Sequence, residues 1–374
     1  MNKIKNIRLS KSNITSKEKK AVTKVMNKSF LGMGEEVKIF ENNLSKFLSN
    51  NVVCVSSGTA ALHLALLAIK IKEGDEVLVP SLTYIASFQA ISATGATPVA
   101  CDIYEDSLLI NISDLKKKIT KRTKAIMPVH YSGDPVNIQE IYKLAKKYNL
   151  RVIEDAAHAF GSKYNRDLIG SCGDIICFSF DGIKNITSGE GGCIVTKDKK
   201  IQNFVSTARL LGVSNDSTKR YNNKRTWDLK VEIQGWRYHM SNIMASIGIE
   251  QLKRFNYLKK KRQQNAEYYD ALLKNNNKIT LFKRNYKKIV PHIYVIKINS
   301  KKNLNNIREK LKHNNIETGL HYYPNHKLKK YFNPKLKLPI TENIFKKIIT
   351  LPLHPGINKR DIDYIVNKLN SYLQ

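Results

Sequence analysis

At 374 residues the chain exceeds the size at which one hydrophobic core usually stops growing, and its 42% hydrophobic, 9% aromatic composition excludes a disordered protein, so a main core and a smaller second one are expected. The net charge of +33, from 64 Lys+Arg against 31 Asp+Glu, raises nucleic acid as a partner. The cations are scattered among asparagines, as in "KLKKYFNPKLKLP" and "LKKKRQQN", with no groove-reading or RNA-binding signature, so they read as a solvated surface that binds no nucleic acid and helps attract a small diphosphate ligand.

The N-terminal "MNKIKNIRLSKSN" has charge but no apolar stretch of the secretory kind. From residue 16, "SKEKKAVTKVM" has the spacing of an amphipathic helix, and "FLGMGEEVKIFENNLSKFL" predicts a glycine loop opening onto a second one. The pattern then changes. "NVVCVSS" predicts a buried strand followed by helix "GTAALHLALLAI", "DEVLVPS" a strand followed by helix "IASFQAISATG", and "TPVACDI" a further strand. "KAIMPVH" and "RVIEDA" repeat the strand type around helix "NIQEIYKLAKKYN", and "DIICFSF" and "GGCIVT" follow. Short β-rich runs alternating with helices predict an α/β fold with a mostly parallel sheet covered on both faces, whose ligands gather at the carboxyl ends of the strands. From about residue 255 the chain turns to lysine-rich helices and more widely spaced strands such as "HIYVIKI". The expected division is a large domain over 1–254 and a small C-terminal one over 255–374. No apolar run of about 18 residues is present to cross a membrane. Cys54, Cys101, Cys172, Cys177 and Cys193 form no CxxC pair and have no zinc-type histidine spacing, so a soluble, reduced, cytoplasmic protein without a metal is expected.

Four strand ends carry something polar or aromatic. After "VVCV" come Ser57, Gly58 and Thr59 at the start of a helix, where free amides, a glycine and hydroxyls make a phosphate cradle; taken alone the same residues make an ordinary N-cap. After "VLVP" comes Tyr84. After "RVIE" come Asp155 and His158, and an ionised carboxylate at a buried strand end needs a cationic partner unless it is only a cap. After "CFSF" comes Lys184, and an amine whose pKa is lowered by desolvation forms Schiff bases with carbonyls. Together they supply the contacts that pyridoxal phosphate requires at its phosphate, ring face, pyridinium nitrogen and aldehyde carbon.

"SSGTAALHLAL", "VPSLTYIAS", "PVHYSGDP", "VIEDAAHAFGSKY", "FSFDGIKNITSGEGG" and "SNIMASIGIEQL", in that order, resemble the DegT-type sugar-nucleotide aminotransferases, and the resemblance runs from "LGMGEEVKIFE" to "LPLHPGI". It implies fold type I: a large αβα sandwich of the aspartate-aminotransferase kind with a smaller C-terminal α+β domain. By the same resemblance Lys184 is the residue joined to the pyridoxal 5'-phosphate aldehyde and the proton shuttle, and Asp155 partners the pyridinium. His158 stands beside the phenolic oxygen and Tyr84 stacks on the ring, while Gly58, Thr59 and Ser179 bind the phosphate. Where many relatives have "GxNxR", this chain has Gly235-Trp236-Arg237-Tyr238-His239, so either Arg237 or His239 reaches the cofactor phosphate of a neighbouring subunit. A common His-Gly pair appears here as Leu211-Gly212. "TGLHYYPNH" places His321 and Tyr322 as candidate substrate contacts, with aromatic core packing as the alternative.

The implied function is conversion of a nucleotide-linked keto sugar, best a 4-keto-6-deoxy one, to the amino sugar, with L-glutamate as donor and a homodimer sharing its active sites. The product feeds surface polysaccharide synthesis, such as lipopolysaccharide O-antigen. A C3-specific aminotransferase and a sugar dehydratase are the neighbouring alternatives, although related dehydratases have histidine at the lysine position. A non-catalytic regulatory protein that binds cofactor or nucleic acid is the alternative from another class.

Overall fold

The computed structural model describes residues 6–224, 227, 229–300 and 303–374. Two amphipathic helices come first, α1 (Ser16–Asn27) and α2 (Glu35–Leu48). Thr15 and Glu18 close a capping box on α1, the Thr15 hydroxyl accepting from the Lys17 amide and Glu18 accepting from the Thr15 amide at 2.7 Å.

The main sheet is then laid down by β1 (Val52–Val55), α3 (Gly58–Ala68), β2 (Glu76–Pro80), α4 (Ile85–Ser92), β3 (Thr97–Cys101), α5 (Ile112–Lys117), β4 (Thr123–Ile126), α6 (Ile138–Tyr148) and β5 (Arg151–Asp155). After a small hairpin, β6 (Lys163–Tyr164) and β7 (Asp167–Leu168), β8 (Ile175–Ser179) and β9 (Gly192–Val195) complete it. The strand order is β1-β9-β8-β5-β4-β2-β3. Pairs β2/β3, β2/β4, β4/β5 and β5/β8 are parallel, whereas β9 runs antiparallel to both β1 and β8. That reversal has a local cause: a loop with no crossover helix joins β8 to β9, and only a crossover returns a chain to run parallel. Strands β1, β2, β8 and β9 are buried along their whole length, as a sheet covered on both faces requires. Helix α3 is mostly apolar and, His63 included, buried from Ala60 to Leu66.

Helices α7 (Lys199–Ala208), α8 (Asp216–Tyr221), α9 (Asn242–Lys253) and α10 (Phe255–Leu273) follow. A second, antiparallel sheet of order β10-β11-β12 is made by β10 (Ile279–Leu281), β11 (Tyr294–Ile298) and β12 (Ile348–Leu351), with α11 (Leu304–His313), α12 (Pro339–Ile344) and α13 (Lys359–Leu373). Its core includes Ala266, Tyr269, Ile296, Leu311, Ile349 and Ile365, and also Ile7. The Ile7 amide donates to Asn315 at 2.8 Å and its carbonyl accepts from Glu317 at 3.0 Å, so the start of the described chain packs with its last third.

Candidate active site

The parallel strands bring their carboxyl ends to one edge, and a cavity of about 400 Å³ opens there. Gly58, Thr59, Tyr84, Asp155, His158, Ser179, Lys184, His321 and Tyr322 all line it. Arg237 and His239 do not.

At one wall α3 begins. The Ser57 hydroxyl accepts from the Ala60 amide at 3.1 Å, which leaves the first amides of the helix facing outward. A Cβ added at Gly58 would lie 2.8 Å from the Ser179 Cβ, so glycine is what leaves the cradle between them open. Tyr84 is the N-cap of α4 and 58% exposed, which removes it from the core.

Asp155 ends β5 and is only 6% exposed. Its Oδ2 accepts from the Ser87 hydroxyl at 2.8 Å and its Oδ1 from the Ala157 amide at 3.2 Å. Among the described residues it forms no ion pair, and burial pushes its carboxyl above the ordinary range despite those bonds. A buried acceptor held by two donors and without an ion-pair partner suits a protonated ring nitrogen.

Lys184 stands in the loop between β8 and β9, where its amide donates to the Asp181 carbonyl at 3.1 Å. Burial lowers its ammonium pKa, while Asp181 and Asp155 oppose the shift. The Ser132 amide donates to His158 Nδ1 at 3.3 Å, which places the proton of the neutral ring on Nε2, 3.0 Å from the Tyr322 hydroxyl. Burial holds His158 well below its ordinary pKa, so that tautomer persists at neutral pH. His321 Nδ1 lies 2.8 Å from the Thr350 hydroxyl, and the Tyr131 hydroxyl donates to the His321 carbonyl.

Several lining or supporting residues escape sequence reasoning. Asp181 and Glu190 stand within the same "DGIKNITSGE" stretch as Lys184, so closeness in sequence was a usable signal. Ser87 stands one helical turn after Tyr84, which a 3.6-residue period would have pointed to. His292, whose ring centroid is 4.3 Å from that of His158, had no such signal.

A sequence profile described as the DegT/DnrJ/EryC1/StrS aminotransferase family matches residues 12–370. The chain belongs to this family. It is an aminotransferase whose cofactor is pyridoxal 5'-phosphate, and the cradle, the buried Asp155 without an ion pair, and Lys184 fit that cofactor. Among relatives, the GDP-perosamine synthase of Escherichia coli O157:H7 is 37% identical over 366 residues, 96% of each chain. Among solved structures, the aminotransferase has a TM-score of 0.91 and 28% identity with Helicobacter pylori PseC, described as involved in the biosynthesis of pseudoaminic acid, covering 99% of each chain. With the PLP-form of the putative sugar aminotransferase Spr1654 from Streptococcus pneumoniae the TM-score is 0.90 at 28% identity, covering 98% of each chain. The fold is accordingly that of the fold-type I sugar aminotransferases. Among the described residues no helix is long and apolar enough to cross a membrane.

Proposed function

We propose that this aminotransferase converts a nucleotide-linked 4-keto-6-deoxy sugar to the corresponding amino sugar, with L-glutamate as donor, for a surface polysaccharide. The observation that carries the reading is a single cavity in which Lys184 and the buried Asp155 share walls with the Gly58–Ser179 cradle. The similarity to a GDP-perosamine synthase supports a nucleotide-linked sugar as the acceptor.

Pyridoxal phosphate, when bound, supplies the electron sink that makes the α-proton of an amino acid removable. Lys184 would take that proton on Nζ and return it, a role that needs an unprotonated amine and that burial favours by lowering its pKa. Asp155 would balance the charge of a protonated ring nitrogen, and Tyr84, which lines the same cavity, would pack on the ring. Gly58, Thr59 and Ser179 would hold the phosphate through α3 amides and hydroxyls. His158 directs its Nε2 proton at the Tyr322 hydroxyl, and His321 and Tyr322, which line the same cavity, would contact the sugar.

The direct test incubates the purified protein with L-glutamate and a panel of 4-keto and 3-keto sugar nucleotides. Equal amounts of aminated sugar and 2-oxoglutarate are expected from a 4-keto substrate. Loss of a sugar hydroxyl with no amine gained would indicate a dehydratase, and amination of 3-keto sugars alone the C3 reading. A further check adds the missing Cβ: Gly58→Ala is expected to loosen pyridoxal phosphate about tenfold by equilibrium dialysis, as ~1.4 kcal/mol of lost contact implies, because Cβ meets Ser179 at 2.8 Å.

The proposed assembly is a homodimer in which each subunit completes the other's site. Arg237 is the better phosphate contact of the two candidates. It is exposed, whereas burial lowers the His239 pKa to about 4, leaving that ring uncharged at neutral pH. Mixing Lys184→Ala chains with Arg237→Ala chains should therefore give more activity than either alone, since one of the two hybrid sites holds both residues. Absence of any recovery after subunit exchange would count against shared sites. The proposed domain boundary at 254/255 draws support from the second core, whose members lie at 266 and beyond except for Ile7.

A further inference from the structure

Two arginines are the largest fully buried side chains, and the fold treats them differently. Arg209 is neutralised: its guanidinium donates to Glu41 at 2.6 Å and to the Tyr221 hydroxyl at 2.6 Å. Arg262, on α10, has no carboxylate within ion-pair distance among the described residues. Its Nη1 donates to the carbonyls of His292 at 3.0 Å and Leu353 at 3.3 Å. Its Nη2 donates to those of Ile183 at 3.0 Å and Lys184 at 3.3 Å, while Nε has no partner. A buried cation compensated only by carbonyl dipoles is costly to keep, so a tie needing no charge would be expected to use a neutral amide. Asn185 shows that alternative one residue away, its amide donating to the carbonyls of His158, Phe160 and Val290.

We propose that Arg262 is a positioning residue for the reaction: its planar fork holds the Ile183–Lys184 turn against the His292 and Leu353 segments, and its unpaired charge sets part of the field around Lys184 Nζ. This rests on the reading of Lys184 as the reactive amine. The fork has the right shape. Two nitrogens grip two pairs of carbonyls on separate segments, which a lysine, a single point donor, does not reproduce. Three of the four tied residues, Ile183, Lys184 and His292, line the cavity. The field has the right sign. Facing Lys184 are Asp155 from β5 and Asp181 and Glu190 from its own loop, which favour the ammonium, with Arg262 from α10 and burial opposing it. His158, His292 and His321 also stand close, and burial keeps all three rings uncharged at neutral pH. Removing Arg262 leaves the three carboxylates unopposed by any cation in that set, so Lys184 should hold its proton to higher pH.

The test compares full-length wild type, Arg262→Met and Arg262→Lys. In cofactor-free protein, acylation of Lys184 by a limiting anhydride is followed against pH by peptide mass spectrometry. In the loaded enzyme, kcat and KM for L-glutamate are measured, with a melting curve as the folding control. Arg262→Met should move the acylation midpoint upward and lower kcat about tenfold or more with little change in KM, as a misplaced reacting group does. Arg262→Lys should keep the midpoint near wild type, because the charge remains, yet show the kcat loss, because the fork is gone. A folded Arg262→Met with wild-type midpoint and kcat, differing only in melting temperature, would reduce Arg262 to a structural tie and overturn the proposal. If Arg262→Met does not fold, wild-type kcat in Arg262→Lys overturns it on its own. Borohydride trapping on Lys184 of the loaded wild type keeps the two questions apart: labelling there sustains the amine's role whatever Arg262 does, and labelling elsewhere removes that role first.

Discussion

Lys184→Ala is expected to abolish transamination, by about 10⁴-fold or more, because it removes the covalent attachment point and the proton carrier together. The fold should survive the change. The Lys184 side chain makes no hydrogen bond among the described contacts, and its backbone is held by Asp181 and Arg262 independently of the amine. The stability effect has a definite sign. Burial lowers the folded-state pKa of Lys184 below 10.5, so as pH falls from 10.5 the unfolded chain gains a proton that the folded chain resists, and wild-type stability declines until the lowered value is passed. The cofactor-free Ala variant lacks that decline and should melt at or above the wild-type temperature at neutral pH, the difference closing above pH 10.5. An inactive variant that is also destabilised at neutral pH would mean that the amine serves the fold rather than the reaction. Borohydride reduction of wild type should place the cofactor on the peptide containing Lys184 and leave the variant unlabelled.

The second large effect is expected at Asp155. Replacement by Ala or Asn should lower kcat about 10²- to 10⁴-fold, since an unbalanced ring nitrogen loses its proton and the electron sink weakens. Asn is the more informative change. Its oxygen can still accept from the Ala157 amide, and its amide group can donate to the Ser87 hydroxyl, which is free to turn toward Thr83, 3.1 Å away. The pH signature runs opposite to that of Lys184. Burial raises the Asp155 carboxyl above 3.8, so stability present below pH 3.8 is lost as pH rises through the raised value. Cofactor-free Asp155→Asn, which resembles the protonated acid, should be at least as stable as wild type at neutral pH and equal to it below pH 3.8. Cofactor binding should reverse the order, because only the wild-type carboxylate gains an ion pair. Full activity in Asp155→Asn would remove its proposed role.

Much of the site is legible in the sequence because its chemistry sits at strand ends, and strand ends are marked locally. "VVCVSSGTA" shows both an apolar run and the hydroxyl-glycine cluster that opens α3, and "CFSFDGIK" shows the run and the lysine beyond it. The relation between Ser87 and Asp155, 68 positions apart, leaves no mark of that kind. His292 is hidden for the same reason. The strand that follows it, within "HIYVIKI", is readable, but nothing in that pattern says that the imidazole packs against His158.

The amino-acid order by itself determined the alternation of strands and helices, helix α3 after the first strand, the side chains at the carboxyl ends of the strands and the presence of a lysine among them. These depend on periods of two and 3.6 residues and on turn chemistry, which act over a few neighbours. Tertiary structure alone decided how buried charges are met: Arg209 by Glu41, Asp155 by two hydrogen-bond donors without an ion pair, and Arg262 by four carbonyls from three segments. It also decided that Ile7 closes the second core. The reason is physical: the energy of a buried charge depends on what lies within a few ångströms in space, and residues that distant in the chain meet only once the sheet has set their positions.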